Sequence, residues 1–94
     1  MIIAVDYDGT LETNGAVNAL LVERLRRDQL RGACVILWTC RAGARLAEAL
    51  QRLAEHGFRP SLVNANAPAA VARLGYDPRK IIADVYIDDK AVKP

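Results

Sequence analysis

Apolar residues in this chain fall into two kinds of run that alternate along its length. Ile2-Ile3-Ala4-Val5 and Ala33-Cys34-Val35-Ile36-Leu37-Trp38 are unbroken apolar stretches, the pattern of strands buried on both faces of a parallel sheet. Between them Val17, Leu20, Leu21 and Leu25 recur at helical spacing, and Gly32 follows where a helix end takes a left-handed residue. The pattern then repeats. Leu46, Leu50, Leu53 and Ala54 predict a second helix stopped near Gly57, and Ser61-Leu62-Val63 predicts a brief third strand. Pro68 suits the first turn of a short helix that runs through Leu74 and ends at Gly75. Asp77-Pro78 has the form of a cap followed by proline, which predicts one or two further helical turns carrying Arg79 and Lys80. A last strand is expected over about Asp84 to Ile87.

Strand and helix alternating in this way predict an α/β domain, a small Rossmann-like three-layer sandwich with about four parallel strands. No linker, repeat or low-complexity stretch interrupts residues 1–94, which read as a single domain. The expected spatial order is 3-2-1-4, counting strands along the chain, with the first strand central. In open α/β sheets ligands bind outside the carboxyl ends of the strands, where strand order reverses.

Two aspartate pairs stand at such ends: Asp6 and Asp8 in Asp6-Tyr7-Asp8-Gly9-Thr10, and Asp88-Asp89 after Val85-Tyr86-Ile87. Four carboxylates gathered there repel one another unless a cation sits among them, and an all-oxygen set suits Mg²⁺. The chemistry this implies is phosphoryl transfer, because a carboxylate nucleophile approaches a phosphate monoester only with positive charge at hand. Asp6 is the expected nucleophile and metal ligand, forming an aspartyl-phosphate. Asp8, held by the turn Gly9 permits, is the expected proton donor to the leaving oxygen and then the base for water. Asp88 and Asp89 are the expected magnesium ligands, Asp88 in the inner sphere. Thr39 ends the second long strand on the same edge, where its hydroxyl and neighbouring backbone N–H groups, Cys40 included, are placed to grip phosphoryl oxygens. Lys80 is the expected fixed positive charge near Asp6.

These segments together resemble the haloacid dehalogenase-like phosphohydrolase superfamily. Asp6-Tyr7-Asp8-Gly9-Thr10 is similar to its first motif, Val35-Ile36-Leu37-Trp38-Thr39 to its second, Lys80 to its third, and Ile87-Asp88-Asp89 to its fourth. The resemblance spans essentially the whole chain in the right order. It implies Mg²⁺-dependent phosphomonoester hydrolysis through Asp6, with the backbone carbonyl of Asp8 also on the metal and Gly9 and Thr10 beside the substrate. The superfamily's ATPase branch has threonine where this chain has Asp8, which favours a phosphatase. Only about eight residues separate Asp8 from the first predicted helix, and one helix fills the stretch from Thr39 to Arg59. The chain is therefore expected to lack the cap domain that most members insert. An open site suits a large substrate, such as a phosphorylated end of nucleic acid or a phosphoprotein, or else takes a neighbouring copy as lid. Thr39-Cys40-Arg41 is similar to the Thr/Ser-x-Arg arrangement of capless members, which makes Arg41 a candidate for binding substrate phosphate through two bonds.

Composition narrows the remaining possibilities. With 52% hydrophobic and 26% charged residues the chain reads as globular, and no apolar run approaches the ~20 residues of a membrane span. Met1 leads directly into the first strand, so a cytoplasmic location is expected. A net charge of +2 is too small to argue for nucleic acid. Arg24, Arg26, Arg27 and Arg31 on the first helix read as a solvated face ahead of a polyanion site. Cys34 and Cys40 lie at opposite ends of one strand, roughly 20 Å apart against the ~7 Å reach of a disulfide, and are expected to be free thiols. Trp38 and Tyr86 sit in strands, where packing in the core is expected ahead of stacking on substrate, and Asn64 and Asn66 are expected to touch substrate or hold a turn. Two other classes share these features: a receiver-like phospho-acceptor with an acidic Mg²⁺ pocket, and a catalytically inactive module that binds nucleic acid or protein.

Overall fold

The first strand is hydrogen-bonded along both edges. In the computed structural model, which describes residues 1–90, β1 (Ile2–Val5) lies between β4 (Cys34–Leu37) and β6 (Val85–Ile87), both parallel to it, and β4 pairs in turn with β5 (Leu62–Val63). The four-stranded sheet runs β5-β4-β1-β6. From β1 the chain steps to β4 and then to β5 in one direction, so right-handed crossovers place α1 (Ala19–Leu30) and α2 (Gly43–Glu55) on the same face. The step from β5 to β6 crosses back over the sheet and carries α3 (Pro68–Leu74) to the other face.

The two faces bury very different amounts. Ile3, Val5, Val35 and Leu37 pack against Val22, Leu25, Ala49, Leu53 and Phe58 to form the main core. The opposite face presents Ala4 and Ile36 to little more than Ile81, with Ala83 and Leu62 at its margin. This thin second layer corrects one expectation. Trp38 and Tyr86 are 40% and 38% exposed, not core residues.

Helix boundaries depart from the apolar spacing at one point. α1 starts two residues after Val17, where the Asn18 side chain accepts a hydrogen bond from the Leu21 N–H at 3.1 Å. Val17 belongs instead to a small antiparallel hairpin, β2 (Glu12–Thr13) and β3 (Ala16–Val17). Thr13 pairs with Ala16 across a two-residue turn, and Asn14 and Gly15 both have positive φ, 52° and 81°. Asn-Gly favours such a turn. On α1 the buried positions are Val22 and Leu25, while Leu20 points into solvent.

The helical turns expected after Asp77-Pro78 do not form. Asn66 is buried, and its amide donates to Asp77 Oδ1 at 3.0 Å, to the Pro78 carbonyl at 3.2 Å and to the Lys80 carbonyl at 3.1 Å, while its oxygen accepts from the Ile82 N–H. Asp77 caps no helix, and its Oδ1 accepts from Asn66 instead. One side chain clamps the whole return segment before β6. Cys34 and Cys40 are free thiols, the first half-buried and the second exposed. No helix among the described residues is long and apolar enough to cross a membrane.

Replacing Asn66 by Ala leaves the Ile82 N–H and the clamped carbonyls without their partner in a part-buried place. At about 1–3 kcal/mol for each unsatisfied group, Asn66→Ala is expected to lower unfolding free energy by about 2–3 kcal/mol in urea titration. A loss under about 0.5 kcal/mol would show that water replaces the clamp freely.

Candidate functional site

The ladders flanking β1 continue one residue beyond its end. Asp6 N–H donates to the Ile87 carbonyl and Trp38 N–H to the Val5 carbonyl, each at 2.9 Å. The carboxyl ends of β4, β1 and β6 are therefore flush, and Asp6 and Asp88 follow on adjacent strands, roughly 4.8 Å apart. Carboxylate oxygens of Asp6, Asp88 and Asp89 all lie within 4.8 Å of one another. The turn after β1 packs against them. Thr10 Oγ1 accepts from the Asp89 N–H at 3.1 Å, and Asp88 Oδ1 accepts from the Lys90 N–H at 2.9 Å. Gly9 has φ +83°, and a Cβ there would stand 2.3 Å from Asp89 Oδ2, so the close approach of turn and carboxylate requires glycine.

Crowding leaves its mark on Asp6. Burial, and next the Asp88 charge, push its carboxyl above the usual carboxylate range; Asp89 and Asp8 add to this, and a hydrogen bond from the Tyr7 backbone opposes it. The three carboxylates offer hard oxygen donors converging on one point, which is the donor chemistry of a divalent cation such as Mg²⁺.

Asp8 does not join this group. Its carboxylate faces Arg41, which donates from Nη2 to Oδ1 at 2.8 Å and from Nε to Oδ2 at 3.0 Å. The fork holds the Asp8 carboxyl below its ordinary range. Arg41 is only 10% exposed, lies over the Tyr7 ring at 4.7 Å and is itself held charged by Asp8. Alternation at the strand end sends Tyr7 the opposite way from its neighbours, into the main core. There its hydroxyl donates to Glu12, which also pairs with Arg52 at 2.7 Å. Burial and that bond push the Tyr7 phenol up to about 12. Arg52 reaches on to the Gly15 carbonyl, so α2 grips the hairpin at both ends.

Thr39 is braced by the residue that directly follows β5. Asn64, with φ 50°, accepts from the Thr39 N–H at 2.8 Å and donates to the Thr39 carbonyl at 2.9 Å. The Thr39 N–H is therefore committed, and its hydroxyl, which accepts from the Arg41 N–H at 3.1 Å, keeps its proton to donate. Lys80 is exposed, with its ammonium 6.0 Å from the Tyr86 ring centroid and in no ion pair among the described residues. Asp6, Trp38, Thr39, Cys40 and Asp88 line a shallow pocket of about 190 Å³. A larger groove of about 480 Å³ lies between α2 and β5, but beside Arg59 and Gln51 its walls are apolar and carry no nucleophile. Sequence reasoning passed over the Tyr7-Glu12-Arg52 chain, whose members give no signal in their spacing. It left the role of Asn64 open, although an asparagine straight after a strand marks a left-handed position.

A solved structure described as that of a conserved protein coded by a locus from Bacteroides thetaiotaomicron matches with a TM-score of 0.81 and 35% sequence identity, covering 98% of this chain and 78% of that one. The chain belongs to that protein's family. No protein-family model and no curated protein matches it.

The raised carboxyl of Asp6 fixes a sign. The folded state holds this proton more tightly than the unfolded chain, so the contribution is favourable at low pH and is lost as pH rises through the raised pKa. With a chelator present, Asp6→Asn is expected to melt at a higher temperature than the wild type at pH 7. The gap should close as pH falls below about 4, the ordinary aspartate range. Equal melting temperatures across that window would show that the crowding is relieved by other means.

Proposed function

We propose that this chain is a Mg²⁺-dependent phosphomonoester hydrolase of the haloacid dehalogenase-like kind, acting through an aspartyl-phosphate on Asp6. The observation behind the proposal is the convergence of Asp6, Asp88 and Asp89 within 4.8 Å at the carboxyl edge of a parallel sheet, beside the Thr39 hydroxyl. Asp6, Asp88 and Asp89 would hold the cation, which when bound screens the charge between a carboxylate nucleophile and a phosphate. The Asp6 carboxylate attacks phosphorus and displaces the ester oxygen, which takes a proton from Asp8. Water then opens the aspartyl-phosphate and gives a proton back to Asp8.

In this scheme Arg41 has two claimants. While its fork holds Asp8, that carboxyl stays ionised and has no proton to give. A substrate phosphate competes for the same planar pair of N–H groups; once it takes them, Asp8 loses the fork that holds it ionised, and the phosphate's own negative charge beside it favours the protonated form that can act as acid. Arg41, whose backbone N–H meets the Thr39 hydroxyl and whose guanidinium meets Asp8, is better placed for the cationic role than Lys80 beside Tyr86. The Thr39 hydroxyl donates to a phosphoryl oxygen, and Asn64 holds the Thr39 backbone in place. Between Asp8 and α1 the chain makes only the β2–β3 hairpin, so a macromolecular phosphate could reach the pocket.

Hydrolysis of a generic aryl phosphate tests the scheme. The wild type should turn over only with Mg²⁺, and Asp6→Asn should lose about a thousandfold or more in kcat/KM. Equal activity in both would sink it.

The Asp8–Arg41 pair also favours a second reading, a receiver-like phospho-acceptor. If Arg41 never lets go, the aspartyl-phosphate on Asp6 persists because Asp8 cannot serve the attacking water. Mass spectrometry after incubation with acetyl phosphate and Mg²⁺ separates the two: a lasting adduct, lost in Asp6→Asn, without turnover supports the acceptor, whereas multiple turnovers support the hydrolase.

A further inference from the structure

Alternation along the strands places Ile36 and Trp38 on one face of the sheet. Tyr86 shares that face, since its register partner is Ala4, which packs with Ile36. Ala4 has no bulk to separate the rings on either side of β1, and they meet edge to face with centroids 6.0 Å apart and planes at 60°. The Tyr86 hydroxyl is held in turn, donating to the Ile81 carbonyl and accepting from the Ala83 N–H at 3.2 Å. Tyr86 is thus a fixed brace, and Trp38 leans on it. Yet Trp38 is 40% exposed and forms part of the pocket wall with Asp6, Thr39, Cys40 and Asp88. A large ring kept in water beside reactive carboxylates gives up burial energy. Held by Tyr86 on one side, its exposed part offers an apolar surface that loses little freedom on contact.

The hydrogen bond from the Trp38 backbone N–H to the Val5 carbonyl puts the two backbones one strand spacing, roughly 4.8 Å, apart just before Asp6, and Trp38 and Asp6 both line the pocket. A phosphate ester seated at Asp6 therefore shares its pocket with the indole. We propose that Trp38 is a specificity-determining residue, whose exposed ring surface packs on a planar aromatic ring in the leaving group of the phosphate monoester. The proposal rests on the hydrolase reading above. The ring is either joined to the ester oxygen directly, as in an aryl phosphate, or one sugar away, as in a nucleoside 5′-monophosphate.

Trp38 is the one tryptophan in the chain, so intrinsic fluorescence reports from this wall without any turnover. Phenyl phosphate, adenosine 5′-monophosphate and glycerol 2-phosphate would each be titrated in the presence of Mg²⁺. At least one ring-bearing compound should quench saturably with half-saturation about tenfold below that of glycerol 2-phosphate, and whichever does so identifies the ring's distance from phosphorus. In kinetics, Trp38→Ala should lower the ratio of kcat/KM for that ring-bearing substrate to kcat/KM for glycerol 2-phosphate by about tenfold. Trp38→Phe should restore most of it. Equal half-saturation for all three ligands, or an unchanged ratio in Trp38→Ala, would overturn the proposal. Turnover in the wild type no greater than in Asp6→Asn would instead remove the hydrolase reading, and the ring preference would then be decided by the fluorescence titration alone.

Discussion

Everything at this site depends on β1 being paired on both edges in register. Once Val5 stands opposite both Leu37 and Ile87, the residues that follow have no choice but to emerge side by side, and two of them are aspartates. The sheet can impose this arrangement because its core is worth more than the repulsion. A buried valine or leucine side chain contributes about 1.5–3 kcal/mol, and Ile3, Val5, Val35 and Leu37 are all inside. A crowded carboxylate costs about 1.4 kcal/mol for each tenfold change in its proton affinity. The fold therefore holds the charges together, and Asp6 absorbs the conflict by binding its proton more tightly.

The same alternation that builds the sheet separates the roles of three consecutive residues. Asp6 faces Asp88, Tyr7 turns into the core beneath α2, and Asp8 emerges again under Arg41. Tyr7 is the hinge of this arrangement, because its buried hydroxyl holds Glu12, Glu12 holds Arg52, and Arg52 closes on the hairpin. The turn that presents Asp8 and Gly9 is thereby fixed from below. Its other side is fixed by Asp89, which leaves no room for a side chain at position 9.

Those features were legible in the sequence to different degrees, for physical reasons. The four parallel strands and α2 follow from apolar runs of a single period, which the core enforces. The convergence of Asp6 with Asp88 and Asp89 follows from strand ends and the crossover rule. The β2–β3 hairpin was hidden because each of its strands has only two residues, too few to show alternation, although Asn14-Gly15 marks its turn. Val17 and Leu20 happened to continue a helical spacing that Asn18 in fact interrupts. The helix expected at Asp77-Pro78 does not form, and Asp77 meets a tertiary partner, Asn66, in place of a local cap. Partners distant in sequence, such as Arg41 for Asp8 and Asn64 for Thr39, have no expression in spacing.

The exposure of the aromatic pair has the same origin as the openness of the pocket. On the return from β5 to β6 the seven-residue α3 is followed by a non-helical segment that carries Ile81 and Ala83, clamped by Asn66. Ile81 covers the middle of the sheet over Ala4 and Ile36 and leaves the carboxyl ends bare. Trp38 and Tyr86 stand at those ends, and so do Asp6 and Asp88. A longer third helix would bury the rings and shade the carboxylates together, so the small second layer is what keeps the acidic and the aromatic parts of the pocket accessible to one ligand.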